Sequence, residues 1–408
     1  MEYKKFTSEY NNVYNTNLLD TIFIWVIVLF GLKFYTLFIS ETIGKALTLG
    51  STLIIATLLI VHVIYGEKPL IKKNFSLEVL FIFISLIIST FAALVYYDQP
   101  LQITAFAQYE FYIFLFYFLI HRLKPDPEKI LTICVWLGYG YTIIYFLQYL
   151  VYPTEITTSR TLSDRGTIRI LIPGSEFMVT GWFIQLTRYF ITKKIKYIIA
   201  LIPYLIIIIL LATRQVMAAM ALVTIFAVIY SNTLKSKFAV LILIVLSVIP
   251  FYYMFQGVFE EIVQVSERDS RDFSDDIRVI AAKYFLFDLN PDPIWVLTGN
   301  GMPGPHTSYG KFLNRLSEEL GYHQSDVGII GSFSRFGIFF VLGELIILFR
   351  LALKRFDEKF KFVKYNALIM LITMFTGAGL KSSTIILLCI MIYIADIEFQ
   401  NNKLNKEL

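Results

Sequence analysis

GVFEEIVQVSERDSRDFSDDIRVIAAKYFLFDLNPDPIWVLTGNGMPGPHTSYGKFLNRLSEELGYHQSD, residues 257–326, is the one long polar interval in an otherwise apolar chain. Hydrophobic runs fill most of the sequence before it and after it. It carries Arg268, Arg271, Arg278 and Arg315, the glycine turn Gly299-Asn300-Gly301, and the closing run Tyr322-His323-Gln324-Ser325-Asp326. A chain built this way holds a polar loop over one face of a bundle, and the loop is where chemistry is expected.

Composition agrees. Hydrophobic residues make up 57% of the 408 and charged ones 16%, against about a quarter charged in a soluble domain. With a mean hydropathy of +0.65, the expected class is an all-α polytopic membrane protein, with residues 1–408 as one integral membrane domain. Cys134 and Cys389 sit inside apolar runs and neither polar loop has a cysteine, so no disulfide framework or thiolate metal site is expected. Met1–Asn17 is polar and no small-residue cleavage pattern follows the first apolar run, so no cleaved leader is expected. The pattern points to no nucleic-acid partner and no cofactor.

A helix needs about 20 apolar residues to cross the hydrocarbon core. Such runs occur near 18–38, 43–64, 77–97, 101–121, 130–152, 176–191, 195–213, 215–231, 238–256, 327–350, 363–379 and 382–397. That predicts about 12 transmembrane helices, two of them (176–191 and 382–397) short enough to be tilted or re-entrant. Lysine and arginine in short loops set orientation. Lys4 and Lys5, Lys68, Lys72 and Lys73, Arg122, Lys124 and Lys129, Lys193, Lys194 and Lys196, and Lys235 and Lys237 fall on one side. Arg350, Lys354, Arg355, Lys359, Lys361, Lys364, Lys403 and Lys406 join them. Both termini are therefore expected in the cytoplasm.

The exceptions to that rule are arginines. The outer loop 153–175 carries Arg160, Arg165 and Arg169 and no lysine, and Arg214 opens the eighth span beside Gln215. Loop ion pairs with Glu155, Asp164 or Glu176 would account for single residues, and snorkelling to the interface for Arg214. The absence of lysine favours another use, because a guanidinium binds phosphate oxygens as a planar fork while lysine acts as a point charge. In the long loop, Ser274 is positioned to cap a helix starting with Asp275 and Asp276, and a second helix near 311–320 should end at Gly321. His323 stands at the mouth of the tenth span, where Gln324 and Asp326 could orient an imidazole suited to proton transfer near neutral pH.

These features resemble the O-antigen polymerase and O-antigen ligase superfamily. The resemblance rests on Thr213-Arg214-Gln215, Asp276-Ile277-Arg278, Gly299-Asn300-Gly301, and His323-Gln324-Ser325-Asp326-Val327-Gly328 running on to Arg335-Phe336-Gly337. It covers most of the chain as architecture, on short motifs. Ser334 stands where ligases have an earlier glycine, and Ser325-Asp326-Val327-Gly328 is more similar to polymerases of capsule and lipopolysaccharide O-antigen. The resemblance implies a C-type membrane glycosyltransferase acting on undecaprenyl-pyrophosphate-linked glycans at the outer face of the bacterial cytoplasmic membrane, metal-independent, with a flippase and a chain-length regulator as working partners. It implies Arg214, Arg278 and His323 as catalytic residues. Arg160, Arg165, Arg169, Gln215, Arg268, Arg271, Gly299, Gly301, Arg315 and Asp326 would bind substrate.

The alternatives are an O-antigen ligase, a lipid-linked oligosaccharide flippase or other transporter, a metal-dependent transferase using Asp275-Asp276 or Asp269 with Asp272, and a scaffold without chemistry. Two further charges lie inside spans: Glu110 in the fourth and Arg335 in the tenth. At about 1.5 Å of rise per residue they share a depth, so they are expected either to pair or to face a wet cavity separately.

Overall fold

The computed structural model describes residues 18–37, 40–65, 71–164, 167–234, 237–238, 242, 252–253, 255–271, 276–290, 292–375 and 379–407. Lys4, Lys5, Lys68, Arg165, Lys235, Asp272, Ser274 and Asp275 lie outside them. Most described residues are helical, as expected of an all-α membrane protein. The spans are another matter. Four helices are long and apolar enough to cross a membrane: Thr42–Ile64, Ser76–Tyr97, Pro127–Val151 and Ser382–Gln400. Leu101–Ala107 and Tyr109–Leu123 make a fifth if counted as one span, bent by 59°. Four or five thus replace the expected twelve among the described residues, and most of the ninth run lies outside them.

Of the remaining runs, Ser175–Thr192 and Lys361–Thr373 are continuous helices outside this long apolar set. Others end or reverse at left-handed residues, Ala212 at the boundary expected between the seventh and eighth spans. Leu18–Gly31 ends in a turn, Lys33–Thr36, whose four residues all have φ between 46° and 58°. Ala212, with φ 46°, separates Ile202–Leu211 from Arg214–Ile229. Gly337 separates Gly328–Phe336 from Ile338–Leu353. Hydropathy counts apolar residues and is blind to where the backbone reverses. The 382–397 run shows the converse: it belongs to a continuous helix, Ser382–Glu407. It is also the central pillar, because 89% of its apolar window is buried against 17% for Thr42–Ile64 at the rim.

Contacts sort the bundle into two ends. At one, Thr158 N–H donates to Thr36 O, Tyr97 to Asn300, Arg169 to Leu211 O and Ile329 N–H to Met374 O. This is the loop end. At the other, Arg350 pairs with Glu78, Lys359 with Glu128, Ser231 donates to Glu358 and Tyr393 to Pro125 O. This is the lysine end. Its deepest group is Asp396, fully buried, which accepts from Asn74 N–H and Nδ2 (3.0 and 2.9 Å) and from Tyr117 (2.9 Å), with His121 Nε2 at 3.1 Å. A buried carboxylate is tolerable when its lone pairs are satisfied in this way.

The loop 153–175 is not wholly irregular. Thr161–Asp164 pairs antiparallel with Thr167–Ile170 as a small hairpin, the one departure from an all-helical fold among the described residues. Leu37 bridges to Thr157 just before it, so the hairpin is tied to the turn after the first helix.

Candidate functional site

A cavity of about 630 Å³ opens at the loop end. Its walls include Lys33 and Thr36 of the left-handed turn, Leu171–Pro173 after the hairpin, Thr213 and Val216 around the helix break, Ile329 and Ser332, and Lys381 before the central pillar. Three carboxylates line it: Glu110, Glu176 and Glu344.

The local sequence explains how these groups arrive there. Left-handed backbone costs about 1–2 kcal/mol per non-glycine residue, so a four-residue run persists only where neighbours hold it. Here Tyr35 donates to Leu137 O at 2.8 Å, Thr36 O accepts from Thr158 N–H, and Lys33 Nζ reaches Glu110 at 3.2 Å. Glu110 stands just past the bend at Gln108, whose buried amide donates to Ser89 and accepts from Thr90. Its second oxygen lies 3.4 Å from Ser382 N–H, at the N-terminus of the pillar, where a helix favours negative charge. Glu176 accepts from Ser383 and Thr384 on the next turn.

The pairing of Glu110 with Arg335 does not occur, and the other expected arrangement holds for Glu110 only in part: it lines the cavity, while Arg335 is not one of the walls. Glu110 takes Lys33, and Arg335 Nε donates to Gly331 O at 2.9 Å with Nη1 3.7 Å from Met302 Sδ. Lys33 gave no signal in the sequence because nothing there announces a left-handed turn without glycine.

The sequence-derived residues fall into two groups. Arg169, nine-tenths buried, donates through Nε to Leu211 O at 2.8 Å and so braces the helix break that forms one cavity wall. Arg214 and Gln215, half-buried, start the helix just past that break, flanked by the cavity-lining Thr213 and Val216. Arg160 is exposed at the foot of the hairpin.

The second group belongs to the long loop, which has a small core of its own around Ala281, Phe285, Tyr309, Leu313 and Val327. Tyr97 and Tyr309 stack there at 3.8 Å, and burial first of all, then Tyr97, raises the Tyr309 phenol well above its usual pKa. Arg278, Arg315, His323 and Asp326 are exposed on the surface of this unit. Arg268 and Arg271 end the helix Gln256–Arg271.

Three local expectations for the loop meet the structure differently. The cap of Ile277–Lys283 is Asp276, accepting from Arg278 N–H at 2.8 Å. The second helix runs Ser308–Leu320 and does end at Gly321, with φ 71°. His323 is oriented by neither Gln324 nor Asp326: Ser317 Oγ lies 2.7 Å from its Nδ1, Gln324 donates to Ser334, and Asp326 accepts from Ser325.

The glycine turn turns out to be a staple. Gly299 (φ 66°) lies so close to the Arg335 carbonyl that a Cβ would meet it at 2.4 Å, and a Cβ on Gly337 (φ 76°) would meet Leu297 O at 2.3 Å. Between them the buried Asn300 donates from N–H and Nδ2 to Ser334 O and accepts from Tyr97 and Asn290. Gly299 and Gly301 are themselves buried. The turn therefore anchors the loop to the broken helix 328–353.

Compared with known proteins, the chain matches no family model, no curated protein and no solved structure. Its class rests on its own features: a helical protein with several helices able to span a membrane, and a charged cavity at one end of the bundle.

Proposed function

We propose that this protein is a polytopic membrane glycosyltransferase that polymerises undecaprenyl-pyrophosphate-linked repeat units of O-antigen or capsule at the outer face of the bacterial cytoplasmic membrane. The observation that carries the reading is the cavity at the loop end, flanked by the Arg214 helix start and roofed by segments leading to the arginine-bearing loops. The lysine-rich end is the cytoplasmic one. The twelve-pass topology counts Leu101–Leu123 and Gly328–Leu353 as one crossing each and Ile202–Leu211 and Arg214–Ile229 as two, and the C-type architecture goes with it. In the reaction, the acceptor hydroxyl loses its proton to a base and its oxygen attacks the anomeric carbon. The bond from that carbon to the pyrophosphate breaks, and the electron pair leaves with the phosphate. Arg214 and Arg278 stabilise the charge gathering on the leaving group, and His323 takes the proton. The glycolipid profile of a deletion strain tests this. Single repeats left on the carrier are expected. Long chains stranded on it would make the protein a ligase.

One observation favours a second reading, a flippase for the same lipid-linked glycan. Broken helices around a polar cavity are a transporter device, and here breaks at Gln108, Ala212 and Gly337 lie in helices that line or flank the cavity. Repeats trapped on the cytoplasmic leaflet of the deletion strain would select it.

A further inference from the structure

The three cavity carboxylates are not alike. Glu110 has Lys33 and the Ser382 N–H; Glu176 has two hydroxyls, Ser383 and Thr384. Glu344, on the helix Ile338–Leu353, is more than nine-tenths buried, lines the same cavity, and has no hydrogen-bond partner for Oε2 among the described residues. Buried polar groups in folded proteins are satisfied almost without exception, and an orphan costs free energy. The orphan needs donors, and the protein provides none at this position. Oε2 itself is sealed by protein, as are the equally orphaned Glu78 Oε2 and Glu398 Oε1. What sets Glu344 apart is that it lines the cavity and its other oxygen, Oε1, has no hydrogen bond among the described residues either, so Oε1 is the atom left to meet a ligand.

We infer that Glu344 is the hydroxyl-accepting group of a sugar subsite on the inner wall of this cavity. The class of ligand follows from the chemistry. Lys33, already paired with Glu110, and Lys381 balance part of the acid on these walls, so charge alone does not choose the ligand. A phosphate oxygen has no proton to give Glu344 whereas a sugar hydroxyl has, which puts the glycan nearer Glu344 and the pyrophosphate nearer Arg214. Sugar hydroxyls are neutral donors that fit an acceptor-only group. Asn366, also on the wall, is held by Thr180 at 3.1 Å and by its own bond to Phe362 O. Its amide is thereby fixed as a rigid edge of the same subsite. This assignment rests on the glycosyltransferase reading but concerns which part of the ligand goes where.

The test uses the full chain in lipid nanodiscs and two probes: undecaprenyl pyrophosphate, and the undecaprenyl-pyrophosphate-linked glycan extracted from a deletion strain. Affinities and apparent melting temperatures are measured for wild type, Glu344→Gln and Glu344→Leu. The expected result is that Glu344→Leu weakens glycolipid binding by about tenfold or more, the worth of a hydrogen bond to a charged acceptor. It should leave the bare carrier within about twofold and not lower the melting temperature, since removing an orphan charge does not strip the fold of a contact. Glu344→Gln, which keeps one acceptor oxygen, should fall between. Unchanged glycolipid binding by the leucine variant, equal loss of both probes, or a marked fall in melting temperature would each overturn the assignment alone. If wild type binds neither probe, or no carrier-linked glycan accumulates, the glycosyltransferase reading falls and takes the assignment with it.

Discussion

The two ends of the bundle are built differently, although each leaves carboxylate oxygens without a partner among the described residues: Glu78 Oε2 and Glu398 Oε1 at one, Glu344 Oε2 on the cavity wall of the other. At the lysine end every buried carboxylate has at least one partner: Asp396 has Asn74, Tyr117 and His121, Glu78 has Arg350, and Glu398 accepts from Asp357 N–H. The Lys354 ammonium there sits over the Phe399 ring at 3.2 Å and donates to Ala395 O. At the loop end the backbone is strained at Lys33–Thr36, helices break, a cavity opens, and Glu344 is left without a partner. One end is built for stability. The other gives up stability for a place to put something, which is the usual relation between a fold and its site.

The sharpest way to break this comparison is at Asp396. Asp396→Ala strands three donors, Asn74 N–H, Asn74 Nδ2 and the Tyr117 hydroxyl, and removes the partner of His121 Nε2 at a fully buried site. A loss of about 3–5 kcal/mol is expected, the cost of breaking a buried charged pair from one side. Denaturant or thermal unfolding in detergent would read it, and a change below about 1 kcal/mol would refute the stabilising role. At the loop end the pattern should invert. Arg214→Ala and His323→Ala should each cut glycan transfer by about 100-fold or more with normal expression and melting temperature. Arg214→Lys should recover little if the guanidinium fork matters. Normal chain growth in both alanine variants would remove them from the site.

Smaller effects sharpen the picture. Gly299→Ala and Gly337→Ala each force a side chain into left-handed backbone against a carbonyl, so each should cost about 1–3 kcal/mol. The two glycines are neighbours, so the double variant should cost less than the sum. Next comes the cavity ion pair. A double-mutant cycle of Lys33→Met with Glu110→Gln should show coupling of about 0.5 kcal/mol or more, whereas Glu110→Gln with Arg335→Gln should be additive within about 0.3–0.5 kcal/mol. The reverse outcome would restore the Glu110–Arg335 pair.

A separate effect, spread over about two pH units and more, is a pH dependence at the lysine end. Burial pushes the Lys354 ammonium down to about 8 from 10.5. Between those values the unfolded chain holds the proton that the folded chain has lost, so stability should rise as pH climbs from about 8 towards 10.5. Lys354→Met should flatten that slope in a series of melting curves, and an unchanged slope would exclude Lys354 as its source.

How much of this was legible beforehand depends on the kind of signal. The long polar loop and the helix ending at Gly321 follow from composition, spacing and local capping, which act within a few residues; the lysine pattern was less complete, since Lys33 and Lys381 line the loop-end cavity. Arg214 was legible because a charge between two apolar runs is costly wherever it ends up. His323 was found, but its partner was misassigned: nearness in sequence pointed to Gln324 and Asp326, while the packing of the Ser308–Leu320 helix delivers Ser317.

By itself, the sequence determined that the chain is helical and carries helices apolar enough to span a membrane, because each of these is a sum over many residues that no single contact can reverse. Only the tertiary structure decided how many helices run unbroken, that Lys33 rather than Arg335 meets Glu110, that the Gly299–Gly301 turn is a staple, and that Glu344 faces a cavity unpartnered. Each of these depends on groups tens to hundreds of residues apart meeting within a few ångströms. A left-handed turn at Lys33 costs energy locally and is held by partners elsewhere, so nothing in the neighbouring residues could announce it.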